Sequence, residues 1–141
     1  MSKKIDISKL KIKFGGKNAP KDKELIKLLK LADKGKLLVR RALIKTEGIK
    51  PFSDFKPQTA KAYRDYFENC EKENFPPPLY VYPKGDYFIM SDDYNSFFLY
   101  LEKGYHKIMC ILLGDSDSKF MVEKSEPFQL PALKIQILKS K

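Results

Sequence analysis

The chain has no tryptophan, one histidine and two cysteines. Cys70 and Cys110 lie 40 residues apart without Cys-x-x-Cys spacing, and His106 is the only imidazole. Four zinc ligands of the usual kind cannot be assembled from that set. The thiols are expected as unpaired core residues in a reducing compartment, because free cysteine packs as a small hydrophobe. No apolar run approaches the roughly 20 residues that span a bilayer. The opening MSKKIDISKL carries charges inside its only apolar stretch, which is not a signal-peptide pattern. A cytoplasmic protein without membrane contact is expected. Walker-type phosphate loops and the GxGxxG, HExxH, GxSxG and EF-hand patterns are missing too. Serine–histidine chemistry would depend on His106 alone, beside Lys107 at a strand start, where a surface or capping role fits better. No catalytic residue and no cofactor is assigned, and the reading leans away from an enzyme.

Lysine is abundant and unevenly placed. Lys and Arg total 28, of which only Arg40, Arg41 and Arg64 are arginine. Residues 1–50 hold 16 Lys and Arg against 5 Asp and Glu, while residues 51–141 hold 12 against 13. The net charge of +10 is therefore a property of the first third. Such asymmetry points to a polyanion-facing surface, DNA or RNA. Lysine marks specific phosphate recognition less strongly than arginine, and a solvated lysine face is the plainer alternative.

A length of 141 residues is one domain, long enough for a core. Apolar residues alternate over residues 3–14, KKIDISKLKIKF, as in a strand with a bulge. Gly15-Gly16-Lys17 then makes a turn of little specificity. A helix follows over 22–34, capped by Asp22 and closed by Gly35, with Lys23, Lys27, Lys30 and Lys34 opposite its apolar face. Leu37–Ile44 reads as a strand or a helical turn. It carries Arg40-Arg41, the best single candidates for a polyanion contact through bidentate forks, with a structural ion pair as the alternative. Phe52 and Phe55 are expected to tuck inwards from a loop. Pro57 is expected to open a helix over 57–72 with Ala60, Tyr63, Phe67 and Cys70 on its buried face. The chain ends in an alternating strand over 132–138, ALKIQIL.

The region from Pro76 to Gly114 has the clearest order: strand, Pro-Lys-Gly-Asp turn, strand, acidic turn, helix, glycine stop, strand. Its pieces are Pro76-Pro77-Pro78-Leu79-Tyr80-Val81, Tyr87-Phe88-Ile89-Met90, a helix over 94–102, Gly104 and Ile108-Met109-Cys110-Ile111. This pattern resembles the ParB/sulfiredoxin superfamily, with Ile5–Leu10 in the position of that family's first strand. The resemblance implies a single α+β domain with a small mixed sheet and three or four helices. Members that bind nucleotide carry Gly, His and Arg at the turn between the second strand and the helix. Here that turn is Ser91-Asp92-Asp93-Tyr94-Asn95, with two negative charges instead. Nucleotide binding, sulfinic acid reduction and nuclease activity are accordingly not carried over.

The expected core includes Ile26, Leu29, Tyr63, Phe67, Leu79, Val81, Phe88, Phe97, Phe98, Leu101, Ile108 and Ile111. The favoured function is a non-enzymatic ParB-like module associated with DNA or RNA through Lys27, Lys30, Lys34, Arg40 and Arg41. A protein-interaction or regulatory module of a phage or mobile element, using exposed Tyr and Phe, is the first alternative. The second is a divalent-metal-dependent nuclease or phosphotransferase-like enzyme. It would use Asp92 and Asp93, with Asp86, Asp115 or Asp117 supplying another oxygen. Against it, Asp93 is well placed simply to cap the helix that follows.

Overall fold

Asp22 begins the first helix by capping it. Its Oδ1 accepts the backbone N–H groups of Glu24 and Leu25 at 3.0 and 3.3 Å, and its Oδ2 accepts the Tyr82 hydroxyl at 2.7 Å. One buried carboxylate thus starts helix α1 (Lys23–Asp33) and ties it to the sheet. Asp22→Ala should cost about 2–4 kcal/mol, an N-cap plus a buried Tyr82 hydroxyl left without its acceptor, read as a lower urea midpoint at unchanged m-value. The computed structural model describes residues 20–128. The expected strands over 3–14 and 132–138 and the Gly15-Gly16-Lys17 turn lie outside the described residues.

After α1 come β1 (Val39–Lys45), a short 3₁₀ turn (Thr46–Gly48), β2 (Ile49–Pro51) and helix α2 (Lys61–Lys72). Then follow β3 (Leu79–Lys84), β4 (Tyr87–Met90), helix α3 (Tyr94–Glu102), β5 (Lys107–Leu113) and β6 (Met121–Lys124). The strands form one mixed sheet in the order β2-β4-β3-β5-β1-β6. β3 and β4 make an antiparallel hairpin in which Lys84 faces Tyr87, so the turn is the two residues Gly85-Asp86, with Gly85 at φ +63°. β3 runs parallel to β5 and β2 parallel to β4, while β1 is antiparallel to both β5 and β6. The described residues are a single α+β domain.

Both faces of the sheet are covered, which explains why β3 reads as the continuous apolar run Leu79–Tyr82 rather than an alternating one. On one face Leu25, Leu29 and Ala32 of α1 pack with Val39, Tyr80, Tyr82, Ile111 and Leu113. On the other, Phe67 of α2 and Tyr94, Phe97, Leu99 and Tyr100 of α3 pack with Ala42, Ile44, Leu79, Val81, Phe88 and Ile108. With no tryptophan, tyrosine carries the bulky polar-tipped role. Tyr100 donates to the Pro77 carbonyl, Tyr63 to Asp93 and Tyr105 to Glu71.

The three helices among the described residues stop the same way. The N–H of Lys36 reaches the Leu31 carbonyl, that of Phe75 reaches Cys70 and that of Tyr105 reaches Tyr100. The residue before each, Gly35, Asn74 or Gly104, takes a positive φ. This is the Schellman arrangement, which satisfies carbonyls that a helix end leaves free.

Several expectations need correction. Helix α2 starts at Lys61, not Pro57, because Ala60 is extended and the Thr59 hydroxyl is drawn to Asn95 Oδ1 of α3 at 2.8 Å. Leu101, near the C-terminal end of α3, is exposed, and Phe52 is exposed too, whereas Phe55 packs edge-on against Tyr94. Leu37–Ile44 resolves as a strand from Val39 onwards. Cys70 and Cys110 are both unpaired, the first half-buried and the second buried.

Candidate nucleic-acid interface

The spacing of Lys23, Lys27, Lys30 and Lys34 returns to one flank of α1 every turn or so. The structure brings all four together. With Ile26 and Leu31 they line a shallow concavity of about 370 Å³ that, among the described residues, no acidic side chain enters. Among the described residues none of these lysines is held in an ion pair. Their apolar neighbours hold the helix against the sheet, so the cationic flank sits on a fixed support.

Arg40 and Arg41 do not join each other. Adjacent residues of a strand point to opposite faces. Arg40 donates to the Ser125 carbonyl at 3.0 Å and pairs with Asp115 at 3.3 Å, and its side chain is only 22% exposed. Asp115 is itself held below the usual carboxylate range, chiefly by its bond from Lys124. Arg40 therefore acts as the structural ion pair, fastening the chain near Ser125 to the sheet. Arg41 is exposed on the α1 side of the sheet, 6.0 Å from the centre of the Phe128 ring.

The acidic turn closes on itself. Asp93 Oδ1 accepts the Ser96 N–H at 3.0 Å and so caps α3, while its Oδ2 accepts the Tyr63 hydroxyl. Asp92 is fully buried, its Oδ2 accepting the Tyr80 N–H at 3.0 Å. Burial raises the pKa of both acids. Among the described residues no three His, Cys, Asp or Glu side chains gather as metal ligands. Both carboxylates are engaged in holding the β4–α3 junction. The Cys110 thiol is likewise pushed well up by burial and by Asp92, which makes it a poor nucleophile.

A larger concavity, about 900 Å³, opens beside α3. Lys45, Lys50, Lys56, Lys107 and His106 line it, against the single acid Glu47. Its apolar lining includes Phe98, Leu101 and Val122. Sequence reasoning missed these cations because they are scattered along the chain. The β1–β5 register assembles them, setting Lys45 directly opposite Lys107. Among the described residues, no helix is long and apolar enough to cross a membrane. No family model, no curated protein and no solved structure matches the chain.

Proposed function

We propose that this chain is a non-enzymatic, ParB-like module that associates with nucleic acid through helix α1. The observation that carries the reading is the gathering of Lys23, Lys27, Lys30 and Lys34 around one concavity without an acid. Polyanion binding needs this arrangement, because each neutralised phosphate releases condensed counterions. The order β3, β4, α3, β5, with β3 parallel to β5, supports the family part of the reading. The carboxylate-filled β4–α3 turn supports a module whose ancestral nucleotide pocket has gone. Arg41 is retained as a contact on the α1 side, and Arg40 is released from that role by its pairing with Asp115.

The test is a salt titration of binding to duplex DNA and to RNA. For the triple variant Lys27→Gln, Lys30→Gln, Lys34→Gln, the slope of log K against log salt should become shallower by about 3. The absence of measurable binding at low salt on any nucleic acid would remove the proposal. An unchanged slope would remove α1 from it. A protein partner is the second reading, favoured by Phe75, 71% exposed just past the end of α2. A complex recovered from the native source that survives nuclease treatment would move the weight to that reading.

A further inference from the structure

We propose that the groove beside α3 binds single-stranded nucleic acid, with bases against its apolar floor and phosphates on its lysine rim. The proposal rests on the nucleic-acid reading above and names the form bound. Its first support is chemical make-up. Phe98, Leu101 and Val122 share the groove with four lysines, and Leu101 and Val122 are 44% and 43% exposed. An apolar floor inside a cationic rim matches a ligand that presents π-faces and phosphates together. A duplex hides its bases and would set phosphates against that floor.

The second support is a local electrostatic penalty. Lys45 and Lys107 face each other across the last pair of the β1–β5 ladder. Like charges directly opposite destabilise a sheet. Ile44 and Ile108 pack on the α3 face, so both lysines leave the ladder on the α1 side and reach the groove only at its rim, where an anion would relieve the repulsion. The third is the seating of nearby cations on rings. Lys56 lies 5.0 Å from the centre of Phe98, and Lys50 the same distance from Tyr87. Lys56 is thereby fixed beside the aromatic part of the groove floor. The groove and the α1 lysines share no lining residue, so they can be varied separately.

Fluorescence anisotropy of the full chain tests this with a labelled oligo(dT) of about 20 nucleotides and a duplex of equal length. Lys50→Glu with Lys107→Glu should weaken oligo(dT) about tenfold or more, and the duplex less than about threefold. Lys107→Glu alone should melt no lower than the parent, because it removes the facing like charges. Leu101→Ser, at a half-exposed position, should weaken oligo(dT) by about threefold to tenfold without altering the salt slope, and it serves where the charge variant folds poorly. Equal losses on both probes, or no loss on oligo(dT), would overturn the proposal. Polyglutamate that displaces oligo(dT), with an affinity dependent on Leu101, would also overturn it in favour of an acidic protein partner. Failure of the α1 reading shows separately, as duplex binding indifferent to the α1 triple variant.

Discussion

Gly48→Ala should be among the most damaging single-methyl additions to this protein, costing about 3 kcal/mol and lowering the melting temperature by about 10 °C. Gly48 is buried at the end of the 3₁₀ turn between β1 and β2. Its backbone does not need glycine for conformational reasons, since its φ is not positive. The constraint is space. A Cβ there would lie 2.4 Å from both Cβ and Cγ of Phe120, and 2.8 Å from a ring carbon. Cβ and Cγ cannot swing away without moving the Phe120 backbone. That backbone is fixed on two sides, because its carbonyl accepts the Lys45 N–H at 2.8 Å and its N–H reaches Ser118 Oγ at 3.1 Å. The ring is held as well, stacked on Tyr87 with centroids 5.2 Å apart. Relief would have to break the contact that joins the end of β1 to the start of β6. Gly35→Ala is the control. No atom lies within 4 Å of a Cβ there, but φ is +74°, so it should cost only about 1 kcal/mol of backbone strain. Equal melting temperatures for the two variants would refute the packing argument.

The contrast between these glycines also marks what the sequence could reveal. Gly35 and Gly104 were legible as helix stops because the αL requirement is local and follows an apolar period. Asp22 and Asp93 were legible as caps for the same reason, and Gly85 as the pivot of a hairpin. Gly48 was not, because its neighbour is Phe120, 72 positions along the chain. The same division separates the two basic sites. The α1 lysines share a flank by helical spacing alone, so the sequence places all four there and names Lys27, Lys30 and Lys34 as contacts. Lys45 and Lys107 meet only through strand register, which no local pattern encodes. Adjacency misled in the case of Arg40-Arg41, since a strand sends neighbouring side chains to opposite faces. The start of α2 was misplaced because Pro57 is compatible with a first helical turn but does not enforce one. The hydroxyl of Thr59 instead draws the chain towards α3.

Asp92→Asn should make the protein more stable at neutral pH and leave it unchanged in acid. Asp92 is 2% exposed, and only one of its two oxygens finds a donor. Among the described residues Oδ1 has no hydrogen-bond partner, and neither has the adjacent buried Ser91 Oγ. Burial first, and the neighbouring Asp93 carboxylate second, push its pKa well above the ordinary value, and the backbone N–H groups of Tyr80, Asp92 and Asp93 only partly oppose them. A carboxyl whose pKa is higher in the folded chain than in the unfolded one holds its proton more tightly when folded. The stability it contributes is complete below the unfolded value, near pH 4, and is lost as pH rises through the folded value. Asparagine cannot ionise, still offers an oxygen to the Tyr80 N–H, and escapes that loss. The gain at neutral pH should be about 1–3 kcal/mol, the scale for a buried polar group without a partner. It should shrink to nothing by about pH 4 in urea titrations run across the range. Asp93, also raised by burial, adds a slope of the same sign to both proteins, a shallower one in the variant because the neighbouring charge is gone. A gap that stayed constant with pH would mean that Asp92 is neutral throughout. A loss at neutral pH would mean that the charged form is matched by a ligand or ion and that the β4–α3 turn is still a working site.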